Sequence, residues 1–306
     1  MSHQRIRARN AIALRAAFGI TRGVPATTSG AGKSAVGPGK KVVVGATGAR
    51  AKLSGFPLLA VQLLLLAALL GLWQLSYDYS GSDKLVISNP QLVWEAFLTW
   101  QEKGTFWPDL WSTVSAALIA LVASAVIGIA VGIGLALAPS VEAVVSPFLD
   151  AINAMPRIAL APVFVIYFGI GSTSKIVLAF TLVVFIITIN TRAGVASADA
   201  ELLRLSVVLG ANKWQRFYKV LLPVAVPSIF AGLRLGLIYS LLGVVGAELI
   251  ASTAGLGQQI SASSAAFDLG TVYAALIVLA IIAAAFNALS GRVEKTILRW
   301  QPPQDA

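Results

Sequence analysis

Side chains that carry covalent or metal chemistry are scarce in this chain. There is no cysteine, and the one histidine is His3. Disulfides and thiol catalysis are thereby excluded, and Cys/His metal sites nearly so. Gly32-Lys33-Ser34 has the ending of a phosphate-binding P-loop. That motif needs a glycine five positions before Gly32, so that backbone N–H groups can cradle phosphate. Thr27 stands there instead, and nucleotide hydrolysis by this chain is not expected. The remaining candidates are charges set inside apolar runs, Arg157, Arg234 and Glu248. A charge at bilayer depth is costly and marks function by default.

These charges must be positioned by membrane spans. Of the 306 residues, 57% are hydrophobic and 12% are charged. A water-soluble domain carries roughly twice that share of charge. Six apolar runs are long enough to cross a hydrocarbon core as helices. They are Phe56 to Leu75, Thr113 to Ala138, Val144 to Gly169, Ile176 to Thr191, Val224 to Ile250 and Leu269 to Gly291. The expected fold is all-α, a polytopic membrane protein of about six transmembrane helices.

The net charge of +10 is distributed unevenly. Residues 1–54 hold ten basic residues and no acidic one, and the other residues hold thirteen of each sign. The excess is a tail on a neutral body, which argues against a nucleic-acid surface. Residues 1–54 are expected to form a basic, disordered cytoplasmic tail. The stretch from Asp78 to Leu110 has five acids and two bases, which suits the outer side. Arg192, Arg204, Lys213, Arg216 and Lys219, and then Arg292, Lys295 and Arg299, suit the inner side. Both termini are expected in the cytoplasm, with residues 301–306 as a short C-terminal tail.

The loop at residues 192–223 is patterned. Leu202, Leu205 and Leu209 are spaced three and four apart, which predicts a short amphipathic helix from Glu201 to Leu209. Gly210 then breaks it. A second short helix is predicted from Lys213 to Leu222, stopped by Pro223.

Here the chain resembles the permease subunits of bacterial ATP-binding-cassette importers. Their cytoplasmic motif is Glu-Ala-Ala, three residues, Gly, nine residues, then Ile-x-Leu-Pro. Gly210, Val220, Leu222 and Pro223 match it in register, and the leading triplet falls on Arg204, Leu205 and Ser206. That degenerate triplet is common in the branch handling nitrate, sulfonates, taurine and bicarbonate. Pro156 to Pro162 followed by Tyr167-Phe168-Gly169-Ile170-Gly171, the pair Ala247-Glu248, and Gly255-Leu256-Gly257 look like that branch too. The resemblance covers residues 58–300.

It implies a type I importer permease domain over residues 55–300, in a bacterial inner membrane. The loop would dock on separate ATPase subunits, which hold ATP and Mg²⁺. A second permease copy, membrane lipid and an extracytoplasmic binding protein complete the expected partners. No catalytic residue, metal or cofactor is assigned to this chain. A small anion such as nitrate, a sulfonate or taurine is the first expected cargo. Thiamine-precursor pyrimidines and aromatic carboxylates are the alternatives. An ion-coupled secondary transporter would instead show inverted repeats and an acid relay.

Two readings of Arg157 stand side by side. The stretch Ile158 to Gly169 covers only about 18 Å as a helix, so the third span must begin near Phe148. Arg157 then lies at mid-depth, lining the pathway for an anion, or snorkels and pairs with an acid such as Asp150. Glu248 is expected near the outer face, in a hydrogen-bonding role, an ion pair with arginine, or contact with the binding protein. Gly128-x-x-x-Gly132 and Gly232-x-x-x-Gly236 permit close helix approach, within one subunit or at a seam between two. Trp94, Trp100, Trp107 and Trp111 read as an outer interfacial belt.

Overall fold

The computed structural model describes residues 56–79 and 88–299. The P-loop-like segment and both tails lie outside them. In chain order the helices are α1 (Phe56–Tyr79), α2 (Pro90–Glu102), α3 (Phe106–Leu137), α4 (Pro139–Ala154), α5 (Ala161–Phe168) and α6 (Ser172–Ala196). There follow α7 (Ala200–Val208), α8 (Lys213–Arg216), α9 (Leu222–Ile250), α10 (Leu256–Ala265) and α11 (Leu269–Ile297). Helices α1, α3, α6, α9 and α11 are long and apolar enough to cross a membrane. A bent pair, α4 with the residues from Arg157 to Phe168, supplies the sixth span if counted as one.

The core is α3, α6 and α9 packed side by side. Along the middle of α3 the buried positions are small: Ala116, Ala117, Ala120, Ser124, Gly128 and Gly132. Its Ile119, Val122 and Val126 face outward. Lipid tails are as apolar as leucine, so helices gain by close backbone approach rather than by hiding large side chains. Both glycine pairs pack within the subunit, on adjoining faces of α6 that meet at Ile187. A Cβ at Gly132 would come 2.7 Å from Thr191 Cβ, and one at Gly232 would come 2.8 Å from Asn190 Cβ. Helix α1 is the opposite case. Its described leucines are exposed on every side.

Four expectations need correction. The third run is not a straight span, because it turns by 79° between α4 and the Arg157–Phe168 half. Pro156 lacks an N–H, and Met155 before it is extended (φ −72°, ψ 136°), as a residue preceding proline prefers. Arg157 therefore sits in a corner, in the 3₁₀ turn Arg157–Leu160. Second, Pro223 does not stop the helix that begins at Lys213. The helical run continues to Ile250, 38 residues in all. A π turn over Phe217–Leu221 precedes the proline, and Leu222 N–H donates to Phe217 O. The wider turn accommodates the missing donor and the ring. Third, the helix of the fourth run begins ahead of it, at Ser172, so Lys175 lies within the start of α6 and is 2% exposed.

Fourth, Trp100 leaves the belt. Trp94, Trp107 and Trp111 are exposed, whereas Trp100 is 2% exposed. Its Nε1–H donates to Asp109 Oδ2 at 3.3 Å, and its ring meets Phe106 edge to face. Helices α2 and α10 are also new, since the charge and length of their segments read as loop.

Candidate functional site

The loop after α6 is held mainly by its own caps. Asp199 Oδ1 accepts from Glu201 N–H at 2.8 Å and starts α7. Helix α7 ends in a left-handed turn with Gly210 at φ +77°. Ala211 N–H donates to Ser206 O and Gly210 N–H to Val207 O, both at 2.9 Å. Those two bonds satisfy carbonyls at the helix end, and glycine is the residue that enters this conformation without a Cβ clash. Asn212 then opens α8 with a capping box. Its Oδ1 accepts from Gln215 N–H, and Gln215 Oε1 accepts from Asn212 N–H.

The residues of the matched motif divide by role. Leu222 joins Leu221 against the cluster of Val195, Ala225 and Ile229, anchoring the loop to the bundle. Val220 and Pro223 are half-buried beside it. Ser206 is buried, its hydroxyl on Leu203 O. Arg204 and Leu205 are exposed. Around them Val208 and Leu209 are 82% and 76% exposed. Trp214 and Tyr218 stack on the surface at 6.0 Å. The result is a rigid corner that leaves apolar side chains uncovered.

Glu248 is at the far end of α9, 1% exposed. Its partner is a lysine, with Lys175 Nζ 2.7 Å from Oε1. The ammonium also donates to Ser112 Oγ at 2.7 Å and Ala254 O at 3.2 Å, so its three protons are all taken. The Thr113 hydroxyl reaches the carboxylate, and Gly257 N–H donates to Oε2 at 2.9 Å. Leu256 N–H donates to Thr113, and Gly255 N–H to Asp109, which also holds Trp100. One network thus ties α2, α3, α6, α9 and α10. Breaking such a buried pair by removing one partner is strongly destabilising, because the other charge is left uncompensated. A Cβ at Gly257 would sit 2.7 Å from Glu248 Cβ, which explains the small residue there. Lys175 was missed in the sequence, although its place at the head of the fourth run put it level with Glu248 near the end of the fifth.

Arg157 is 5% exposed and faces protein. Nη1 donates to Thr181 O at 2.6 Å and approaches Leu182 O at 3.3 Å. Nη2 donates to Asn153 Oδ1 at 2.8 Å and to Ile152 O, which Nε shares. The guanidinium lies 4.2 Å over the Phe185 ring. It pins the broken end of α4 to α6, and its partners are neutral oxygens and the Phe185 ring rather than Asp150. Two other charges in the helices also have partners: Arg192 with Glu142 and Ser146, and Arg234 with Asn287 and Glu294.

A bundle of apolar helices, a capped glycine corner at one end and a buried ion-pair network at the other agree with what similar proteins show. Residues 124–299 match the family model described as binding-protein-dependent transport system inner membrane component. The chain belongs to that family. It is the permease subunit of an ATP-binding-cassette importer, a multi-pass inner-membrane protein and not an enzyme. Such a permease works with separate ATPase and binding-protein partners.

The chain is 33% identical to the riboflavin transport system permease protein RibX of Chloroflexus aurantiacus, over 77% of this chain and 88% of that one. It is 33% identical to the taurine transport system permease protein TauC of Escherichia coli, over 77% and 87%. Its fold is similar to the MetNI methionine ABC transporter in an inward-facing conformation. That match has a TM-score of 0.58 at 20% identity, over 64% of this chain and 98% of the other.

Proposed function

We propose that two copies of this chain form the translocation pathway and that residues 192–223 are the coupling loop. Arg204, Leu205, Ser206 and Gly210 form its docking corner on an ATPase that binds ATP and Mg²⁺. Val220, Leu222 and Pro223 join that corner to α9. Residues 55–300 form the permease domain, bathed in membrane lipid. Residues 1–54 and 301–306 are tails on the cytoplasmic side.

The single observation that carries this reading is the Gly210 corner. It is stiffened by caps at both flanks and exposes Val208, Leu209 and Trp214. Exposed apolar side chains on a rigid, otherwise polar loop favour a protein partner. The 38-residue helical run from Lys213 makes a lever about 57 Å long from that corner across the bilayer.

Gly210→Pro cannot adopt a positive φ and should abolish uptake while membrane insertion stays normal. Uptake at the wild-type rate in a membrane-inserted Gly210→Pro variant defeats the assignment.

The cargo is a small sulfonate-type anion, supported by the taurine relative. A heteroaromatic cargo is the second reading. It is favoured by Arg157, whose donors are all engaged by protein acceptors, and by the riboflavin relative. Calorimetric titration of the partner binding protein with taurine and with riboflavin separates the two.

A further inference from the structure

The end of the bundle opposite Gly210 carries a preformed cavity of about 520 Å³, between α2 and the corner joining α10 to α11. Its walls include Glu95, Lys103, Gln259 and Asp268, over an apolar floor at Trp100, with Phe267 at the rim. The floor is rigid. Trp100 is held by Asp109, and α11 meets α2 so closely that a Cβ at Gly270 would lie 3.0 Å from Leu92 O. Ser88, at the edge of the cavity, is 1% exposed with an unbonded hydroxyl.

Phe267 is the informative residue. Helix α10 ends in the same two-bond motif as α7. Asp268 N–H donates to Ser263 O and Phe267 N–H to Ser264 O. The left-handed position that glycine takes at Gly210 is here a phenylalanine at φ +59°. A bulky residue there is a backbone outlier. The packing of its ring does not account for it, since Phe267 is 75% exposed. An outlier held so as to present an aromatic side chain points to recognition.

We infer that this cavity and the Phe267 rim are the seat of the extracytoplasmic binding protein, with Phe267 as the anchoring side chain. The inference rests on the coupling-loop reading for its sidedness, because the lever from Lys213 puts the two corners on opposite membrane faces. Aromatic anchors beside a preformed cavity are where interfaces concentrate their affinity. Among the described residues the exposed charges at this corner are Glu95, Glu102 and Asp268 against Lys103, so the seat is acidic. The matching surface of the binding protein carries lysine or arginine around the pocket that receives the ring.

The test uses the permease–ATPase complex in lipid nanodiscs and the binding protein that supports uptake by this permease. A benzophenone side chain at position 267 should cross-link the binding protein, and one at lipid-facing Val122 should not. Phe267→Gly and Glu95→Lys should each weaken association about tenfold. Added salt should weaken it further, while basal ATP hydrolysis stays the same. Phe267→Gly relieves the backbone, so weaker docking in a fold no less stable separates recognition from a structural role.

Unchanged affinity in both variants overturns the inference, as does cross-linking at Val122 but not at 267. Solute captured by the complex without binding protein, and lost in Glu95→Lys, makes the cavity a solute site and also overturns it. If the wild-type complex engages no binding protein and Gly210→Pro still transports, the underlying reading falls with it.

Discussion

Helices α7 and α10 end in the same pair of backbone hydrogen bonds, yet the two corners are set in opposite surroundings. At the Gly210 corner a glycine fills the left-handed position, and the loop leans on the bundle mainly through Leu221 and Leu222. At the Phe267 corner a phenylalanine fills it. The elements beneath are locked by Trp100, Asp109, Thr113, Lys175 and Glu248. One end is stiff locally and loosely attached, which suits the proposed coupling loop. The other end is fixed in place, which suits the proposed seat of a partner. A strained residue can persist only where its surroundings over-determine it, which is why the outlier sits at the fixed end.

The contrast can be broken most forcefully at the Lys175–Glu248 network. Glu248→Ala leaves Lys175 buried without its counter-ion and should cost about 3–5 kcal/mol, read as a lowered midpoint of thermal unfolding in detergent. A midpoint equal to wild type would mean that this end is not locked by charge. Next, Gly257→Ala drives a methyl toward Glu248 Cβ and should cost about 1–3 kcal/mol by overpacking. The same assay reads it.

At the loosely attached end the effects should be smaller and local. Asn212→Ala removes the cap of α8 and should cost about 1 kcal/mol. Hydrogen exchange should quicken over residues 210–218 and stay unchanged over α3. Global destabilisation there would merge the two ends into one unit. The smallest effect is expected from Phe267→Gly. Relief of the left-handed strain, about 1–2 kcal/mol, is offset by glycine's extra chain entropy, roughly 0.5–1 kcal/mol. The unfolding midpoint should hold or rise slightly. A clear fall would show that the ring contributes to packing.

Much of the loop was legible in the sequence, because its signals are local. Three- and four-residue spacing of Leu202, Leu205 and Leu209, and then Gly210, predict a helix and its stop within a residue or two of α7. The register of Val220, Leu222 and Pro223 follows from counting. The Lys175–Glu248 pair was not legible, since 73 residues separate the partners and each reads alone as a charge near a span end. Arg157 illustrates the same limit. Its flanking prolines announced a disturbed helix, but only the 79° bend brings its guanidinium onto the carbonyls of Thr181 and Leu182. Trp100 shares its type with its exposed neighbours, and burial depends on which face α2 turns toward α10 and α11.

The sequence by itself determined that this is a membrane-embedded bundle with a glycine-hinged loop between apolar runs. Hydrophobic length, turn chemistry and charge sorting are properties of nearby residues, and they act before any long-range contact forms. The tertiary structure alone decided which charges meet, which tryptophan is hidden, and where a phenylalanine is held in a glycine's conformation. Those outcomes depend on helices distant in sequence meeting at close range, where a buried charge must find its partner and a strained residue its support.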